Sequence, residues 1–283
     1  MKVRIIVDST ADVPESIRQR LTVVPLSILF GEEQYIDGVT INHRRFYEML
    51  VENDTLPTTS QPSPDAFARL FESVKQAGDT AVVLTVSSNL SGTYQSAMIA
   101  AQDYQDVIHV VDTRTVAIAA GILAERALQL ADEGLPAEKI ARKITQEREQ
   151  VRLVALLDTL EYLKRGGRIS KTVAFAGGLL NMKPVICIRD GAVEMLGKAR
   201  GSRQGNNLLV KEIEAAGGVD FAKPLLLGYT GLSDALLTKY VSDSAALWEG
   251  CVDALPTTAI GSVVGTHAGP GAVAVAFFAA EAK

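Results

Sequence analysis

The 283-residue chain is poor in the residues that build metal and disulfide sites. It has two cysteines, Cys187 and Cys251, both in mainly apolar surroundings, and three histidines that lie far apart. Isolated cysteines in apolar surroundings are typical of small core residues, whereas a zinc site needs clustered ligands. We therefore expect no metal site, no disulfide and a reducing, cytoplasmic location.

Long apolar runs and basic segments are absent too. No uncharged apolar run reaches about 18 residues, so the sequence predicts no stable membrane insertion. Met1 leads directly into strand-like residues, without a secretory signal. A formal net charge of −5, with no basic stretch to override it, argues against nucleic acid as a partner.

Two familiar motifs are also missing. No Gly-x-Gly-x-x-Gly follows the first predicted strand, which argues against a dinucleotide site and leaves no cofactor indicated. No Gly-x-Ser-x-Gly is present, and the sequence ties no acidic residue to His267. The missing Gly-x-Ser-x-Gly motif and the missing acidic partner of His267 weaken a serine hydrolase hypothesis but do not remove it.

Strand-like and helix-like segments alternate through the first half of the chain. Strands are predicted at 3–7, 23–30, 80–86 and 107–111, with helical segments between them. Such alternation is typical of a Rossmann-like, mostly parallel sheet. We therefore predict an N-terminal α/β domain at residues 1–150.

The pattern changes after Gln150. Asp190-Gly191 separates two strand-like runs and predicts a hairpin. Further strands are predicted at 224–229, 259–266 and 272–278, and helices at 170–180 and 201–216. These elements predict a C-terminal α/β domain at residues 151–283 with a mixed or antiparallel sheet.

The loop at residues 87–93 lies between a predicted strand and a predicted helix, and it carries several hydroxyls. Ser91 is placed to cap the helix, and Gly92 allows a ligand to approach the backbone. Free N–H groups at a helix start also favour an anion, so a cap and an anion site are both open. Thr59 and Ser60 lie in a second hydroxyl-rich loop, which a crossover helix would bring to the same sheet edge.

Two further candidates carry charge or can acquire it. Arg168 ends an Arg-Gly-Gly-Arg segment, and guanidinium groups bind carboxylates or phosphates, although the segment by itself favours surface charge beside a Gly-Gly C-cap. His267 lies in a glycine-rich segment predicted as a loop between strands. It could contact a carboxylate, or it could activate Ser91 as the base of a serine-type esterase. A binder of phosphorylated metabolites is a third hypothesis.

Several segments, in order along almost the whole chain, resemble the DegV family of bacterial fatty-acid-binding proteins. The matching segments are Val-Asp-Ser-Thr-Ala-Asp at 7–12, Thr-Ser-Gln-Pro-Ser at 59–63, Ser-Asn-Leu-Ser-Gly-Thr at 88–93, Val-Asp-Thr at 111–113, Leu-Glu-Tyr-Leu-Lys-Arg-Gly-Gly-Arg-Ile at 160–169, Lys-Pro-Val at 183–185 and Gly-Thr-His-Ala-Gly-Pro-Gly at 265–271.

The resemblance implies one long-chain fatty acid buried in a cleft between two domains. It implies that the protein presents this acid to a separate ATP-dependent fatty acid kinase, which makes acyl phosphate for phospholipid synthesis, and is not itself the kinase. Apolar residues of segments 26–29 or 174–180 would line the tunnel. A monomer is expected.

The resemblance also assigns roles to individual residues. The carboxylate-binding set would be Thr59, Ser60, Ser91, Gly92, Thr93, Arg168 and His267. Arg200 and Arg203 would contact the kinase.

Overall fold

The computed structural model describes residues 2–53, 55–169, 182–251 and 254–280. The helix predicted at 170–180 lies outside the described residues. The strands are β1 (Val3–Asp8), β2 (Thr22–Val24), β3 (Ser27–Phe30), β4 (Glu33–Ile36), β5 (Thr58–Ser60), β6 (Thr80–Thr85), β7 (Ile108–Asp112), β8 (Val151–Leu156), β9 (Lys183–Arg189), β10 (Ala192–Ala199), β11 (Leu226–Tyr229), β12 (Thr257–Ala259) and β13 (Val273–Phe278).

The α-helices of the described residues are α1 (Glu15–Arg18), α2 (His43–Glu52), α3 (Pro64–Gln76), α4 (Thr93–Ala101), α5 (Ala117–Asp132), α6 (Ala137–Glu147), α7 (Glu161–Arg165), α8 (Gly201–Ala215), α9 (Ala235–Asp243), α10 (Ala245–Trp248) and α11 (Ser262–Ala268).

The N-terminal half contains a four-stranded sheet in the order β2-β1-β6-β7, and every pairing in it is parallel. Its two central strands, β1 and β6, are mainly buried, and in β6 every residue after Thr80 is buried. Helices cover both faces of such a sheet, and ligands bind where its strands end. The predicted Rossmann-like parallel sheet is confirmed.

The strand predicted at 23–30 is wrong as a single element. The chain bends at Pro25 and Leu26, so β2 stays in the parallel sheet while β3 joins β4 and β5 in a separate antiparallel sheet. Proline has no N–H to donate to a ladder, which ends the first strand there. The small sheet matters for function because its edge strand, β5, carries Thr59 and Ser60.

The C-terminal half contains a six-stranded sheet in the order β10-β9-β8-β13-β11-β12, and it is mixed, in agreement with the prediction of a mixed or antiparallel sheet. Only β11 and β12 pair in parallel within the described part of this sheet. The Asp190-Gly191 hairpin is confirmed: both residues have positive φ, at 49° and 78°, and Arg189 pairs with Ala192. Two such residues in succession are the signature of the tight turn that Asp-Gly favours.

The strand predicted at 259–266 is wrong. Strand β12 ends at Ala259, and the next residues form α11, whose last turn contains His267. Val263, Val264 and Gly265 suggested a strand, but Val263 packs with the core of the small antiparallel sheet, so tertiary contacts override β propensity. His267 therefore lies on a helix and not in a loop between strands.

One hydrophobic cluster joins the two halves. It includes Val7 and Leu84 of the parallel sheet together with Leu153 and Phe278 of the mixed sheet. Most of α5 is buried within it, because nearly every residue from Ala117 to Leu128 is apolar. The hydrophobic core is therefore continuous between the N-terminal and C-terminal halves.

The two cysteines differ in environment. Cys187 in β9 is buried, as expected, and its burial raises the thiol pKa to about 11. Cys251 is exposed, so its prediction as a core residue is wrong.

Candidate ligand-binding site

A cavity of about 340 Å³ lies between the loops that end the parallel sheet and the inner face of the mixed sheet. Most of its lining is aliphatic. It is lined by Thr10, Leu26, Thr59, Ser60, Gln61, Val86, Leu90, Ser91, Gly92, Val116, Ala117, Leu153, Ala155, Leu157, Leu163, Arg168, Ile186, Ile188, Val193, Thr230, Ile260, Val263, Val264, His267, Ala268, Ala272 and Ala274.

Small side chains create the space. Ala155 of β8 pairs directly with Ala274 of β13, and both line the cavity. Ala272 and, from α5, Ala117 add two more short side chains to its wall. Because alanine has only a methyl group, these positions leave room between the mixed sheet and α5. The cavity therefore follows from the alanines in the sequence of these strands. Leu26 lines it from segment 26–29, and segment 174–180 lies outside the described residues.

Thr59 and His267 meet at one end of the cavity. Thr59 Oγ1 lies 3.0 Å from His267 Nε2, within hydrogen-bond distance. Thr59 is held in place by the pairing of β5 with β3, and His267 by the last turn of α11. Two residues more than 200 positions apart in the sequence thus form one polar contact beside an apolar cavity.

Burial of His267, reinforced by the nearby Arg168 guanidinium, lowers the pKa of the imidazole to about 4. The ring is therefore neutral at pH 7, with one nitrogen able to donate and the other able to accept. Its Nδ1 is buried and has no hydrogen-bond partner among the described residues. Nδ1 lies on the Gly166 side of the ring, where a Cβ would come within 2.2 Å of it, so Nε2 is the nitrogen that contacts Thr59.

The Ser91 segment makes a tight turn before α4. Ser91 Oγ accepts a hydrogen bond from the Thr93 backbone N–H at 3.3 Å, and its Oγ lies 2.9 Å from Thr93 Oγ1. The N-cap residue of α4 is Gly92, so the prediction of Ser91 as N-cap is wrong by one position. Ser91 and Gly92 line the cavity. Thr93 is fully buried behind them and outside the lining, where its hydroxyl orients that of Ser91.

Arg168 ties the two halves together at the cavity. Its Nε donates to the Leu90 carbonyl at 3.1 Å, and its Nη1 donates to the Gly166 carbonyl at 2.6 Å. The first bond links the C-terminal half to the loop that holds Ser91. Arg168 also lines the cavity, so the guanidinium adds positive potential to the polar end.

Gln61 is a lining residue that sequence reasoning missed. Its Nε2 donates to the Gly92 carbonyl at 3.2 Å and to Ser96 Oγ at 2.9 Å. A Cβ on Gly92 would lie 2.2 Å from Gln61 Oε1, so a larger residue there would displace this amide from its present hydrogen bonds. The glutamine within the Thr-Ser-Gln-Pro segment was the available signal, and it joins the Thr59 loop to the Ser91 loop.

Asp12 is a second residue whose role only the structure shows. The N-cap position of α1 is Pro14, so Asp12 does not cap that helix. Asp12 Oδ1 accepts a hydrogen bond of 2.7 Å from the N–H of Gly261, the residue that begins α11. Burial raises the pKa of the Asp12 carboxyl well above its usual range. The N-terminal half therefore holds the start of the helix that carries His267.

A groove of about 590 Å³ on the outside of the molecule adjoins the polar end of the cavity. Thr59, Arg168 and His267 line both spaces. Residues from segment 55–58 and from α7, together with Gly166 and Thr266, form the rest of the groove wall. A ligand group held by Thr59 and His267 would therefore lie next to a surface accessible to another molecule.

Arg200 and Arg203 are exposed at the start of α8. Neither lines the cavity or the groove. Ala199, next to Arg200, pairs with Lys183, and the neighbouring Leu157 N–H donates to the Pro184 carbonyl. Arg200 thus lies at the end of the mixed sheet where strand β8 ends. From there the chain continues into α7, which lines the groove.

The Ser91 and His267 pair does not form the contact that a serine nucleophile needs. His267 Nε2 is beside Thr59 Oγ1, and Ser91 Oγ is beside Thr93 Oγ1. In a hydrolase the serine hydroxyl hydrogen-bonds the imidazole, and a carboxylate orients its other nitrogen. The arrangement fits binding of a polar group better than nucleophilic attack.

The sequence predicted no metal site and no membrane insertion, and the structure bears on both predictions. In residues 2–53, 55–169, 182–251 and 254–280, no cluster of three or more His, Cys, Asp and Glu side chains could hold a metal ion. Within the same residues, no helix is long and apolar enough to cross a membrane.

Comparison with known proteins matches residues 2–280 to a family described as "Uncharacterised protein, DegV family". A curated relative is the DegV domain-containing protein TTE1491 of Caldanaerobacter subterraneus subsp. tengcongensis. It is 34% identical over 282 residues, and the alignment covers 98% of each chain.

Two solved structures show the same fold. A DegV family protein from Thermus thermophilus, described as binding fatty acid, has a TM-score of 0.88 and 32% identity, covering 99% of this chain and 100% of its own. A stearic acid-binding protein from Eubacterium ventriosum has a TM-score of 0.87 and 28% identity, covering 99% of this chain and 98% of its own.

Proposed function

Because the chain belongs to the DegV family, whose members bind fatty acids, we propose that it binds one long-chain fatty acid in the cavity between its two halves. The observation that carries this proposal is the Thr59–His267 contact at one end of an otherwise aliphatic cavity. A long apolar tail with a single polar head matches that distribution. The two domains on either side would meet at Gln150 and Val151.

The tail supplies most of the affinity. Burying methylene groups is worth about 0.8 kcal/mol each, or on the order of 10 kcal/mol for a sixteen-carbon chain. Loss of ligand freedom and desolvation of the head reduce this value considerably. The polar end therefore has to compensate the carboxylate for lost water rather than generate the affinity.

The polar end offers the donors that a carboxylate needs. The hydroxyls of Thr59, Ser60 and Ser91, with the neutral imidazole of His267, can donate hydrogen bonds, and Gly92 lets the carboxylate approach the backbone. Arg168 contributes positive charge. Thr93 acts through Ser91 by fixing the direction of its hydroxyl.

We propose further that the carboxylate is presented to a separate ATP-dependent kinase, which forms the acyl phosphate. The groove beside Thr59 and His267 supports this proposal, because it brings the head group next to an accessible surface. Arg200 and Arg203 are exposed near this edge of the sheet and are the proposed kinase contacts. The carrier would then supply the positioned acid, and the kinase the phosphoryl chemistry.

Lipid extraction and native mass spectrometry of the purified protein test the proposal. We expect one fatty acid per chain, and rebinding of a long-chain acid at micromolar concentration after delipidation. Failure to bind any acyl chain would refute it. Turnover of acyl esters that Ser91→Ala abolishes would favour the esterase instead, and stronger stabilisation by phosphate compounds than by fatty acids would favour a metabolite binder.

A further inference from the structure

The wall of the cavity contains a fork in the mixed sheet. Strands β8 and β9 pair at Leu156–Val185, Ala155–Ile186 and Val154–Cys187. The next pair in this register would be Leu153 with Ile188, but the ladder ends before it. Both strands continue, because β8 stays paired with β13 and β9 stays paired with β10. The two strands therefore separate at Leu153 and Ile188.

A second cavity lies behind this fork. It has a volume of about 600 Å³ and is lined by charged residues, including Arg114, Arg148, Arg152 and Arg189. Leu153 and Ile188 line this polar cleft and also line the apolar cavity. Where strands are paired, backbone hydrogen bonds seal a sheet, but at the fork two aliphatic side chains separate the two spaces.

The polar cleft and the groove at the head-group end are different openings. No residue of the described chain lines both. A carboxylate held by Thr59 and His267 faces the groove, so the tail extends into the part of the cavity that the fork bounds. Leu153 is buried and Ile188 is partly buried, so both side chains are packed at the fork.

We propose that Leu153 and Ile188 form the wall that limits the length of the fatty acid tail. This inference rests on the proposed fatty-acid binding and deepens it. A tail that stops before the wall gains affinity with every methylene. A longer tail has to displace the wall or enter a cleft lined by arginines and acidic residues, where an apolar chain gains no burial.

The chain-length dependence of binding tests this wall. Delipidated full-length protein is titrated with saturated fatty acids from lauric to behenic acid, in competition with a fluorescent fatty acid. For the wild type we expect affinity to rise about fourfold per added methylene, and then to level off or fall at one length. We call the chain length at which affinity stops rising the break. In the double variant Leu153→Ala/Ile188→Ala the break should move to chains at least two methylenes longer, because truncating both side chains lengthens the cavity.

Val154→Ala is the matched control. Val154 neighbours Leu153 and lines the cleft but not the apolar cavity, so its truncation removes two buried methyl groups from the same strand without opening the fork. Its break should stay at the wild-type length. Leu153→Phe should move the break to shorter chains, which provides a reverse test if the double variant folds poorly.

The possible failures are distinguishable. A wild type that binds no fatty acid of any length refutes the proposed function. A wild type that binds fatty acids, with the same break in the wild type, the double alanine variant and Leu153→Phe, refutes the wall alone. An equal shift in Val154→Ala would assign the effect to general loosening of the sheet and would also refute the wall.

Discussion

Ser91 shows how one side chain can serve both a turn and a ligand. Its oxygen accepts the Thr93 N–H, which shapes the chain before α4, while the residue lines the cavity. The hydroxyl proton is free to point towards the cavity when Thr93 Oγ1 donates to Ser91 Oγ. The two roles are therefore compatible, because the turn uses the lone pairs of Ser91 and a carboxylate would use its proton.

Ser91→Ala should affect presentation of the head group more than binding of the tail. We expect about a tenfold or larger loss in acyl phosphate formation with a partner kinase, because one hydrogen bond to a charged group is lost and the carboxylate is misplaced. The loss in fatty acid affinity should be smaller. Titration and a coupled kinase assay measure the two effects, and equal losses would contradict the head-group role.

The His267 imidazole makes the stability of the ligand-free protein depend on pH. Its pKa is about 4 in the folded chain and near the ordinary 6.5 when unfolded, so the unfolded chain binds the extra proton between these values. Stability from this group is complete above about pH 6.5 and is lost as the pH falls towards 4. Denaturant unfolding across this range measures the effect.

His267→Gln is the matched variant for that experiment. The difference in free energy of unfolding, wild type minus variant, should increase from pH 4 to pH 6.5 and stay constant above it. The buried carboxyls Asp8, Asp12 and Asp37 have raised pKa values and produce the opposite slope, but they are present in both proteins and cancel. A difference that does not change with pH would contradict the lowered pKa of His267.

At the scale of elements, α11 depends on residues of the other half of the molecule. The N-cap residue of α11 is Gly261, which has no side chain to cap the helix. The Asp12 carboxyl group, from the other half of the chain, accepts the Gly261 N–H instead. Tyr47 of α2 donates from its hydroxyl to the Ile260 carbonyl at 3.1 Å, just before the helix. These contacts set the position from which α11 brings His267 to Thr59.

Asp12→Ala should therefore destabilise the protein by about 1–3 kcal/mol, because the Gly261 N–H loses its partner in a partly buried site. Asp12→Asn keeps the oxygen acceptor and should recover most of this loss, since burial already favours the uncharged carboxyl. Denaturant unfolding compares the two variants. Equal destabilisation by Ala and Asn would show that the charge of Asp12, and not its acceptor oxygen, holds the helix.

For the whole molecule, the shared hydrophobic cluster predicts cooperative unfolding. Trp248 is buried in the core of the C-terminal half, so its fluorescence reports that half, whereas far-ultraviolet circular dichroism reports both. Because the cluster containing Val7 and Phe278 crosses between the halves, we expect the two signals to change together. Two separated transitions would mean that the halves fold independently.

Local sequence patterns determined much of this fold. Buried β-branched runs identified the parallel strands, and Asp190-Gly191 identified the hairpin, because both signals depend on neighbouring residues. The strand at 23–30 and the strand at 259–266 were wrong for the same reason. Which sheet β3 joins, and whether residues 262–268 form a helix, depend on contacts with distant parts of the chain.

The candidate site divides in the same way. The sequence by itself supplied its residue types and, through the ordered motifs, its family. The tertiary structure alone decided that Thr59 meets His267, that Thr93 lies behind Ser91, and that Asp12 holds α11. It also opened the cavity beneath paired alanines and ended the β8–β9 ladder at Leu153. These features arise from the packing of both sheets around α5 and from contacts between distant parts of the chain, which no local pattern encodes.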